Sequence, residues 1–361
     1  MIGEEVKSMK FDQPITRRES IGKLLKWSGS IILAGMARWP LFELPAAKAS
    51  VANQKFIIEG IGQTDKFSVK DLTQKVFEAA GGIGKFVSKG DVVVIKPNIS
   101  WARPSKMAAT TNPEVLQAVI ELCQEAGAKK VRIADNTIDN AKFCFSVSGA
   151  ADVAKTTGAE LIHPDSSLMR EMKLQGDRLD VWPVYLPIVE ADKLINLPFA
   201  KDHILSSLTL GMKNWFGAIG GRRGSLHGEI HPNIVDLAQF FKPTITLIDA
   251  TRIMKRNGPS GGSTSDVVTK NTLILSDDPV AADGKAALLF GKEPQNIGHI
   301  ELAKKRGLGT YDFSKLLQKK VSIYFQFNQI NESVMMRQFN ITCIDRKCFR
   351  SDLFLSMFLV S

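Results

Sequence analysis

The sequence lacks the short motifs that identify several common ligand and reaction classes. It contains no G-x-x-x-x-G-K-[S/T] loop, and no G-x-G-x-x-G segment follows a predicted strand, which argues against nucleotide binding. No G-x-S-x-G segment leads from a predicted strand into a predicted helix, and no Cys/His pair stands out, so nothing indicates covalent catalysis. Lysine and arginine do not form runs interleaved with aromatic residues, which argues against nucleic acid as a partner.

Cysteine is scarce, with four residues in a chain of 361. Cys123 lies in an apolar helical pattern and is expected to be a small core residue. The sequence selects no disulfide partner for Cys144. Cys343 and Cys348 alone do not make a metal or cluster site.

Long apolar runs are also missing, because none reaches the roughly 20 residues that a bilayer-spanning helix needs. The apolar residues 27–37 instead follow the pair Arg17 and Arg18, and residues 47–49 form an A-x-A cleavage site. This order looks like a twin-arginine signal. We therefore predict that residues 1–49 are an export signal read by the twin-arginine export machinery. The mature protein would then be periplasmic or extracellular, without a stable membrane span; an amphipathic N-terminal helix is the alternative.

What remains is the composition of a globular protein, with 44% hydrophobic and 23% charged residues. Strands are predicted at residues 92–98, 130–136, 158–164, 192–198, 244–250 and 271–278. Helices are predicted at residues 111–127, 232–241 and 279–291. Nearly continuous apolar strands that alternate with helices predict an α/β fold, with a mostly parallel sheet and helices on both faces. We assign residues 50–321 to this domain and residues 322–361 to an atypical C-terminal extension.

Polar side chains follow the apolar runs of five predicted strands, which end at residues 95, 134, 197, 248 and 275. They are Lys96, Asn98, Asp135, Asn136, Lys201, Asp202, His203, Asp249, Asp277 and Asp278. In open parallel sheets, ligands bind beyond the carboxyl ends of the strands, so these groups are expected to converge on one rim. Turns and helix caps are the alternative role, which suits Asp278 before Pro279.

A glycine-rich stretch at residues 209–231 concentrates further polar groups. Lys213 and Asn214 supply a cation and an amide, the glycines leave backbone N–H groups open, and Arg222 and Arg223 add positive charge. Together they predict a cradle for an anion. A flexible lid with solvated arginines is the alternative.

His227 and His231 are four residues apart, a spacing that places two ligands on one face of a helix. Pro232 disfavours helical geometry at His231, so the helix is expected to begin at Pro232. A metal pair, acid–base chemistry in the cleft and a structural role all remain open for the two histidines.

Several segments resemble the domain-of-unknown-function 362 family. They are KPN at 96–98, KDH at 201–203, TLGMKNWFG at 209–217, LIDA at 247–250, NGPSGG at 257–262 and SDDPVAAD at 276–283. The resemblance adds Asp283, one turn into a predicted helix, to the candidate residues. Many members of the family look like iron–sulfur proteins because they carry a ferredoxin-like segment. This chain has no C-x-x-C-x-x-C run, so an iron–sulfur cluster is not expected here.

The sequence thus favours an exported α/β protein that binds a small anionic or metal-associated ligand. The candidate ligand-binding residues are Lys96, Asn98, His203, Lys213, Asn214, Asp249, Asp278 and Asp283, and the candidate proton-transfer residues are His227 and His231. In an enzyme, the aspartates would orient these groups or hold a divalent metal. A non-catalytic accessory protein of a redox or metal pathway would use the same cleft for capture alone.

Overall fold

The computed structural model describes residues 54–64 and 67–324. The export signal predicted at residues 1–49 lies outside the described residues. So do Cys343, Cys348 and nearly all of the predicted extension. Within the described ranges, no helix is long and apolar enough to cross a membrane.

Twelve strands and eight helices make up the described part of the chain. The strands are β1 Phe56–Gly62, β2 Val92–Pro97, β3 Lys130–Ala134, β4 Glu160–Ile162, β5 Met169–Lys173, β6 Val181–Tyr185, β7 Lys193–Leu197, β8 Phe199–His203, β9 Ser207–Thr209, β10 Ile245–Met254, β11 Val267–Ser276 and β12 Leu317–Ile323. The helices are α1 Val69–Ala79, α2 Pro113–Glu125, α3 Ala141–Val147, α4 Ala150–Thr157, α5 Leu186–Val189, α6 Ile230–Phe241, α7 Pro279–Leu288 and α8 Gly298–Lys305. Two 3-10 segments, Lys213–Ala218 and Arg223–Glu229, lie in the glycine-rich stretch.

The main sheet has ten strands, with the order β12-β1-β11-β10-β7-β2-β3-β4. The strand β8 continues beside the second half of β10, and β9 pairs with β8. All of these strands share one direction except β11 and β9. The predicted α/β fold with a mostly parallel sheet is confirmed.

Two hydrophobic cores cover the two faces of this sheet. Val93 and Ile95 of β2 belong to the core that includes α1, α2 and α4. Val94 belongs to the core formed with α6, α7 and α8. Side chains alternate across a strand, so Lys96 points to the same face as Val94. The lysine is thereby directed into the protein beneath the 3-10 segments.

The apolar pattern of residues 111–127 predicts a buried face of Val115, Val119, Leu122 and Ala126 on α2, and this prediction is partly wrong. Val115 and Val119 are buried, but Leu122 and Ala126 are only half-buried, whereas Cys123, expected in the core, is fully buried. The helix packs against the sheet and also against α1 and α4, so its buried stripe is wider and rotated from the predicted one.

Several predicted element bounds differ from the structure, and three of these differences affect the candidate residues or the domain boundary. Helix α6 begins at Ile230, which places His231 in its first turn. Strand β10 continues to Met254, so Asp249 lies within the strand. Strand β12 ends at Ile323, and the domain boundary predicted after residue 321 falls inside it.

Candidate functional site

A pocket of about 240 Å³ lies at the carboxyl ends of β2 and β8, beneath the glycine-rich stretch. We call it the rim pocket. Its lining residues are Asn98, Ser100, Trp101, Ile138, Lys201, His203, Thr209, Lys213, Asn214, Phe216, Gly217, Arg223, Gly224, His227 and Pro259. The structure therefore brings five sequence candidates together, namely Asn98, His203, Lys213, Asn214 and His227.

Three cationic side chains line the rim pocket, and no Asp or Glu among the described residues does. Lys213 is buried, and its Nζ lies 3.9 Å from the centre of the Phe216 ring. Lys201 Nζ donates to Asn98 Oδ1 at 2.9 Å and to the Ala109 carbonyl at 2.7 Å. Within the described part of the chain, neither lysine forms an ion pair. The lining thus carries positive charge without a matching carboxylate.

The third cation is held by backbone carbonyls. Arg223 Nη1 donates to the carbonyls of Asn136 at 2.6 Å and Phe216 at 3.0 Å, and Nη2 donates to the Thr137 carbonyl. A guanidinium stays protonated in proteins, and neutral carbonyls do not cancel its charge. Arg223 therefore adds a fixed positive charge beside Lys213.

Burial changes the protonation of both lysines. The pKa of Lys213 falls to about 7, because burial disfavours its charged form and Arg223 lies nearby. The pKa of Lys201 also falls to about 7, again mainly through burial, with further lowering by Lys213 and Lys96 and an opposing effect of Asp135. A negative charge in the rim pocket would favour the protonated form of both lysines.

Behind the rim pocket lies a polar floor formed by Lys96, Asn98, Asp135 and Asn214. Lys96 Nζ donates to Asp135 Oδ1 at 2.6 Å and to Asn214 Oδ1 at 3.0 Å. Asn98 Nδ2 donates to the same Asn214 oxygen at 3.0 Å. Burial lowers the pKa of Lys96, and the Asp135 charge opposes this shift. Lys96 is thus paired within the floor and does not line the pocket, contrary to its predicted role as a direct ligand-binding residue.

Gly217 makes this floor possible. A Cβ atom at this position would lie 2.7 Å from Lys96 Nζ and would clash with Asp135 Oδ1. The absent side chain lets the 3-10 segment pack directly over the buried ion pair. The glycine is therefore required by close packing at this point.

Two histidines face each other at the pocket. The rings of His203 and His227 are stacked, with centroids 5.9 Å apart and an interplanar angle of 13°. Burial lowers the pKa of His203 to about 3, helped by the nearby Lys213, His227 and Lys201. Burial and Lys213 also lower the pKa of His227. Both rings are consequently neutral at neutral pH.

His231 does not join His227. It stacks on the buried His299, with ring centroids 5.7 Å apart, and burial lowers its pKa. The two histidines do not share one helix face, because His227 lies in the preceding 3-10 segment and His231 in the first turn of α6. Of the two histidines predicted to transfer protons, only His227 therefore lines the rim pocket.

Asp249 and Asp283 lie outside the pocket lining and hold neighbouring backbone segments. Asp249 accepts hydrogen bonds from the backbone N–H of Asn112 at 2.7 Å and of Thr251 at 3.0 Å. Asp283 accepts from the N–H groups of Gly211 at 2.7 Å and Met212 at 3.0 Å, directly before Lys213. Burial raises the pKa of Asp249, and raises that of Asp283 to about 7.

Asp278 lies at the opposite edge of the sheet, so its expected convergence with the other candidates is wrong. It follows β11, which runs antiparallel to its neighbours. Its Oδ1 accepts from the N–H groups of Val280 at 2.9 Å and Ala281 at 2.8 Å, which caps α7. Burial raises its pKa. The capping role considered from the sequence is the one that the structure shows.

A larger pocket of about 430 Å³ lies at this opposite edge. Two of its cations are already neutralised, because Lys55 pairs with Asp277 at 3.6 Å and Arg306 with Asp236 at 2.5 Å. The positive charge there is largely compensated within the protein. The rim pocket is therefore the stronger candidate for ligand binding, although it is smaller.

Lys201 was expected at the rim and Arg223 in the anion cradle, but neither they nor Phe216 were among the predicted ligand-binding residues. Lys201 does follow a predicted strand, and Arg223 does lie in the glycine-rich stretch, so both signals were present. Phe216 carried no signal, because an aromatic residue in an apolar context is expected in a core.

The described residues contain no group of three or more His, Cys, Asp or Glu side chains that could hold a metal ion. Cys123 and Cys144 are both buried free thiols, and burial raises the pKa of Cys123 to about 12 and that of Cys144 to about 11. Neither thiol is poised to act as a thiolate ligand or nucleophile.

The segment NGPSGG contains the letters of a G-x-S-x-G serine motif. It lies between β10 and β11, however, and does not lead into a helix. It is therefore not a nucleophile elbow. Pro259 from this segment forms part of the rim pocket.

Comparison with known proteins matches a family model, a curated protein and a solved structure. The family model described as domain of unknown function DUF362 matches residues 93–287, which include the whole lining of the rim pocket. The thylakoid-associated protein sll1697 of Synechocystis sp. is 26% identical over 248 residues, covering 64% of this chain and 73% of the relative. The lactate racemase apoprotein from Thermoanaerobacterium thermosaccharolyticum gives a TM-score of 0.39 at 14% identity. That match covers 65% of this chain and 57% of the racemase chain, less than two thirds of its length.

Proposed function

This chain belongs to the DUF362 family, and we propose that it binds a small anion in the rim pocket. The observation that carries the proposal is the cluster of Lys201, Lys213 and Arg223 without a carboxylate among the described lining residues. Buried charges in proteins are normally paired, because an isolated buried ion is costly. An anionic ligand would supply the missing partner.

The dimensions of the pocket favour a small ligand. A volume of about 240 Å³ is below the roughly 300–1,000 Å³ of pockets that hold drug-sized molecules. A carboxylate or an oxyanion with a few further atoms fits this space. The net charge of +10 gives the whole chain a weak electrostatic preference for the same kind of ligand.

The test uses calorimetric titration of the full-length protein with sulfate and with oxalate at pH 6. We expect Lys213→Met to weaken binding of either anion by tenfold or more, because charge-assisted hydrogen bonds contribute about 1.5–3 kcal/mol. Lys270→Met is the matched control, since this exposed lysine lies outside the pocket and the anion affinity should be unchanged. Equal affinity in wild type and Lys213→Met would overturn the proposal.

The pocket could serve either an enzyme or a protein that only captures its ligand, and His227 has a different role in each case. In an enzyme, the neutral ring would move protons on the bound anion. In an accessory protein, the same ligand would bind and leave unchanged. The position of the His227 ring at the pocket favours the enzyme. Elemental analysis with native mass spectrometry of the purified protein would show whether a metal accompanies the protein.

We also propose that the protein is exported through the twin-arginine pathway. The support is the order of Arg17, Arg18, the apolar residues 27–37 and the A-x-A site at 47–49. Replacing both arginines by lysine should keep the uncleaved precursor in the cytoplasmic fraction, as judged by immunoblotting of cell fractions. Unchanged processing in this variant would contradict export by that route.

A further inference from the structure

The hydrogen bonds of the two pocket histidines fix which ring nitrogen carries the proton. His227 Nδ1 lies 3.0 Å from the carbonyl oxygen of Gly224. A carbonyl only accepts, so Nδ1 must carry a hydrogen, and the neutral ring keeps a free lone pair on Nε2. His227 is therefore a hydrogen-bond acceptor, and a base, at Nε2.

His203 has the opposite arrangement. Its Nδ1 accepts from the backbone N–H groups of Leu205 and Ser206, each at 3.2 Å. In the neutral ring the hydrogen is therefore on Nε2, which makes His203 a donor at that atom. The two stacked rings thus offer one donor and one acceptor at the same pocket.

Few chemical groups satisfy such a pair with a single atom. A hydroxyl both donates and accepts, whereas a carboxylate only accepts and an ammonium only donates. Both rings line the rim pocket, so a hydroxyl group bound there can accept from one ring and donate to the other. An ammonium group is also disfavoured by the adjacent Lys213 and Lys201.

We propose that the ligand is a small anion that carries a hydroxyl group. Its anionic end binds Lys201, Lys213 and Arg223. Its hydroxyl donates to His227 Nε2 and accepts from His203 Nε2–H. This inference rests on the proposed function, because the cations must hold the anionic end for the hydroxyl to be placed beside the two histidines.

The binding test compares anions that differ only in the hydroxyl. Glycolate is titrated against acetate, and 2-hydroxyethyl phosphate against ethyl phosphate, with the full-length protein at pH 6. The two pairs distinguish carboxylate from phosphate as the anionic end. We expect the hydroxylated member of at least one pair to bind about thirtyfold more tightly, since its hydroxyl makes two hydrogen bonds that each contribute about 1 kcal/mol.

Substitutions then assign the preference to the histidines. His227→Phe and His203→Phe each keep an aromatic ring but lose one of the two hydrogen bonds, so the ratio of affinities within the preferred pair should fall about fivefold in each variant. His163→Phe is the control, because this exposed histidine lies outside the rim pocket, and the ratio should stay at its wild-type value.

The tautomers of His203 and His227 are tested in the ligand-free wild-type protein, so this test needs no variant that folds. Long-range proton–nitrogen NMR of protein labelled in its five histidines should show His227 protonated at Nδ1 and His203 at Nε2. The opposite tautomer at either ring overturns the inference. Equal binding within both pairs, with Lys213-dependent affinity retained, overturns the inference alone. Failure of all the tested anions to bind overturns the proposed function and the inference with it.

Discussion

At the scale of single residues, Lys201 and Lys213 combine burial with the lack of an ion-pair partner in the described chain. Lys96, which is equally buried, is compensated by Asp135 at 2.6 Å. Lys96 is therefore a structural cation, whereas Lys201 and Lys213 remain available to bind a ligand. It also makes the charge state of the rim pocket depend on pH.

Anion binding should weaken as the pH rises through 7. The pKa of both Lys201 and Lys213 is about 7, so each lysine is protonated and able to bind an anion below that pH and loses its charge above it. Sulfate keeps a constant charge over this range. We expect its affinity to fall by about tenfold per pH unit above 7 for each lysine that must be protonated.

Calorimetric titration with sulfate between pH 5.5 and 9 measures this dependence. A flat profile over the range would contradict it. In Lys213→Met the remaining dependence should be shallower, because only Lys201 then titrates near 7.

Gly217 gives a prediction that concerns packing alone. Gly217→Ala should lower the free energy of unfolding by about 1–3 kcal/mol, because the new Cβ would clash with Asp135 Oδ1 and press on Lys96 Nζ. Urea denaturation measures the change. Gly228→Ala is the matched control in the second 3-10 segment, where nothing lies within 4 Å of an added Cβ, and it should change stability by less than about 0.5 kcal/mol.

At the scale of elements, the site depends on three kinds of support. Strands β2 and β8 deliver Asn98, Lys201 and His203 to the rim, and the first 3-10 segment delivers Lys213 and Asn214 from above. Asp283 of α7 fixes the approach to that segment by binding the two N–H groups that precede Lys213. The helix therefore positions the pocket although it contributes no lining side chain among the described residues.

Substitution of Asp278, which caps α7, distinguishes a structural role of this residue from a ligand-binding role. Its carboxylate accepts from Val280, Ala281 and also Thr310, at 3.0 Å for the last. Asp278→Ala should lower the free energy of unfolding by about 1–3 kcal/mol, through the lost cap and the unsatisfied Thr310 N–H group. Asp278→Asn should recover part of this stability.

Urea denaturation measures the stability of both variants, and calorimetry measures their sulfate affinity at pH 6. The affinity should match that of the wild type, since Asp278 lies at the opposite edge of the sheet. A large loss of affinity in a folded Asp278→Asn protein would argue instead for a ligand-binding role.

At the scale of the whole molecule, buried ionisable groups make stability depend on pH. Lys201 and Lys213 titrate near 7 in the folded state and near 10.5 when unfolded, so the unfolded chain binds more protons and stability rises with pH between these values. His203 and His299, whose pKa values are about 3 in the folded state and 6.5 when unfolded, likewise make stability rise with pH between about pH 3 and pH 6.5. Asp283 opposes them between 3.8 and about 7, because its carboxyl group stays protonated only in the folded state.

We expect the thermal midpoint of the ligand-free protein to rise by several degrees between pH 7 and pH 10. Scanning fluorimetry in a buffer without bound anions measures it. In Lys213→Met the rise should be smaller, because one of the two buried lysines no longer contributes. A midpoint that falls steadily over this range in the wild type would contradict the assignment of these lysines as buried and unpaired.

Much of the fold followed from local sequence. The apolar run before Lys96 predicted β2, and the helical pattern of residues 111–127, with Pro113 in its first turn, predicted α2, since both signals act within a few residues. The direction of β11 was not predicted, because the apolar pattern of a buried strand is the same whether the strand runs parallel or antiparallel to its neighbours. Asp278 was consequently placed at the wrong edge.

The site was predictable only in part, for a related reason. Sequence determined that Asn98, His203, Lys213, Asn214 and His227 were polar groups at strand ends or in a glycine-rich stretch, and these residues do meet at one pocket. Only the tertiary structure decided that Asp135 pairs with Lys96 and leaves Lys213 without a carboxylate. Pairing of charges depends on which distant segments come within a few ångströms, and the residue types alone do not fix those distances.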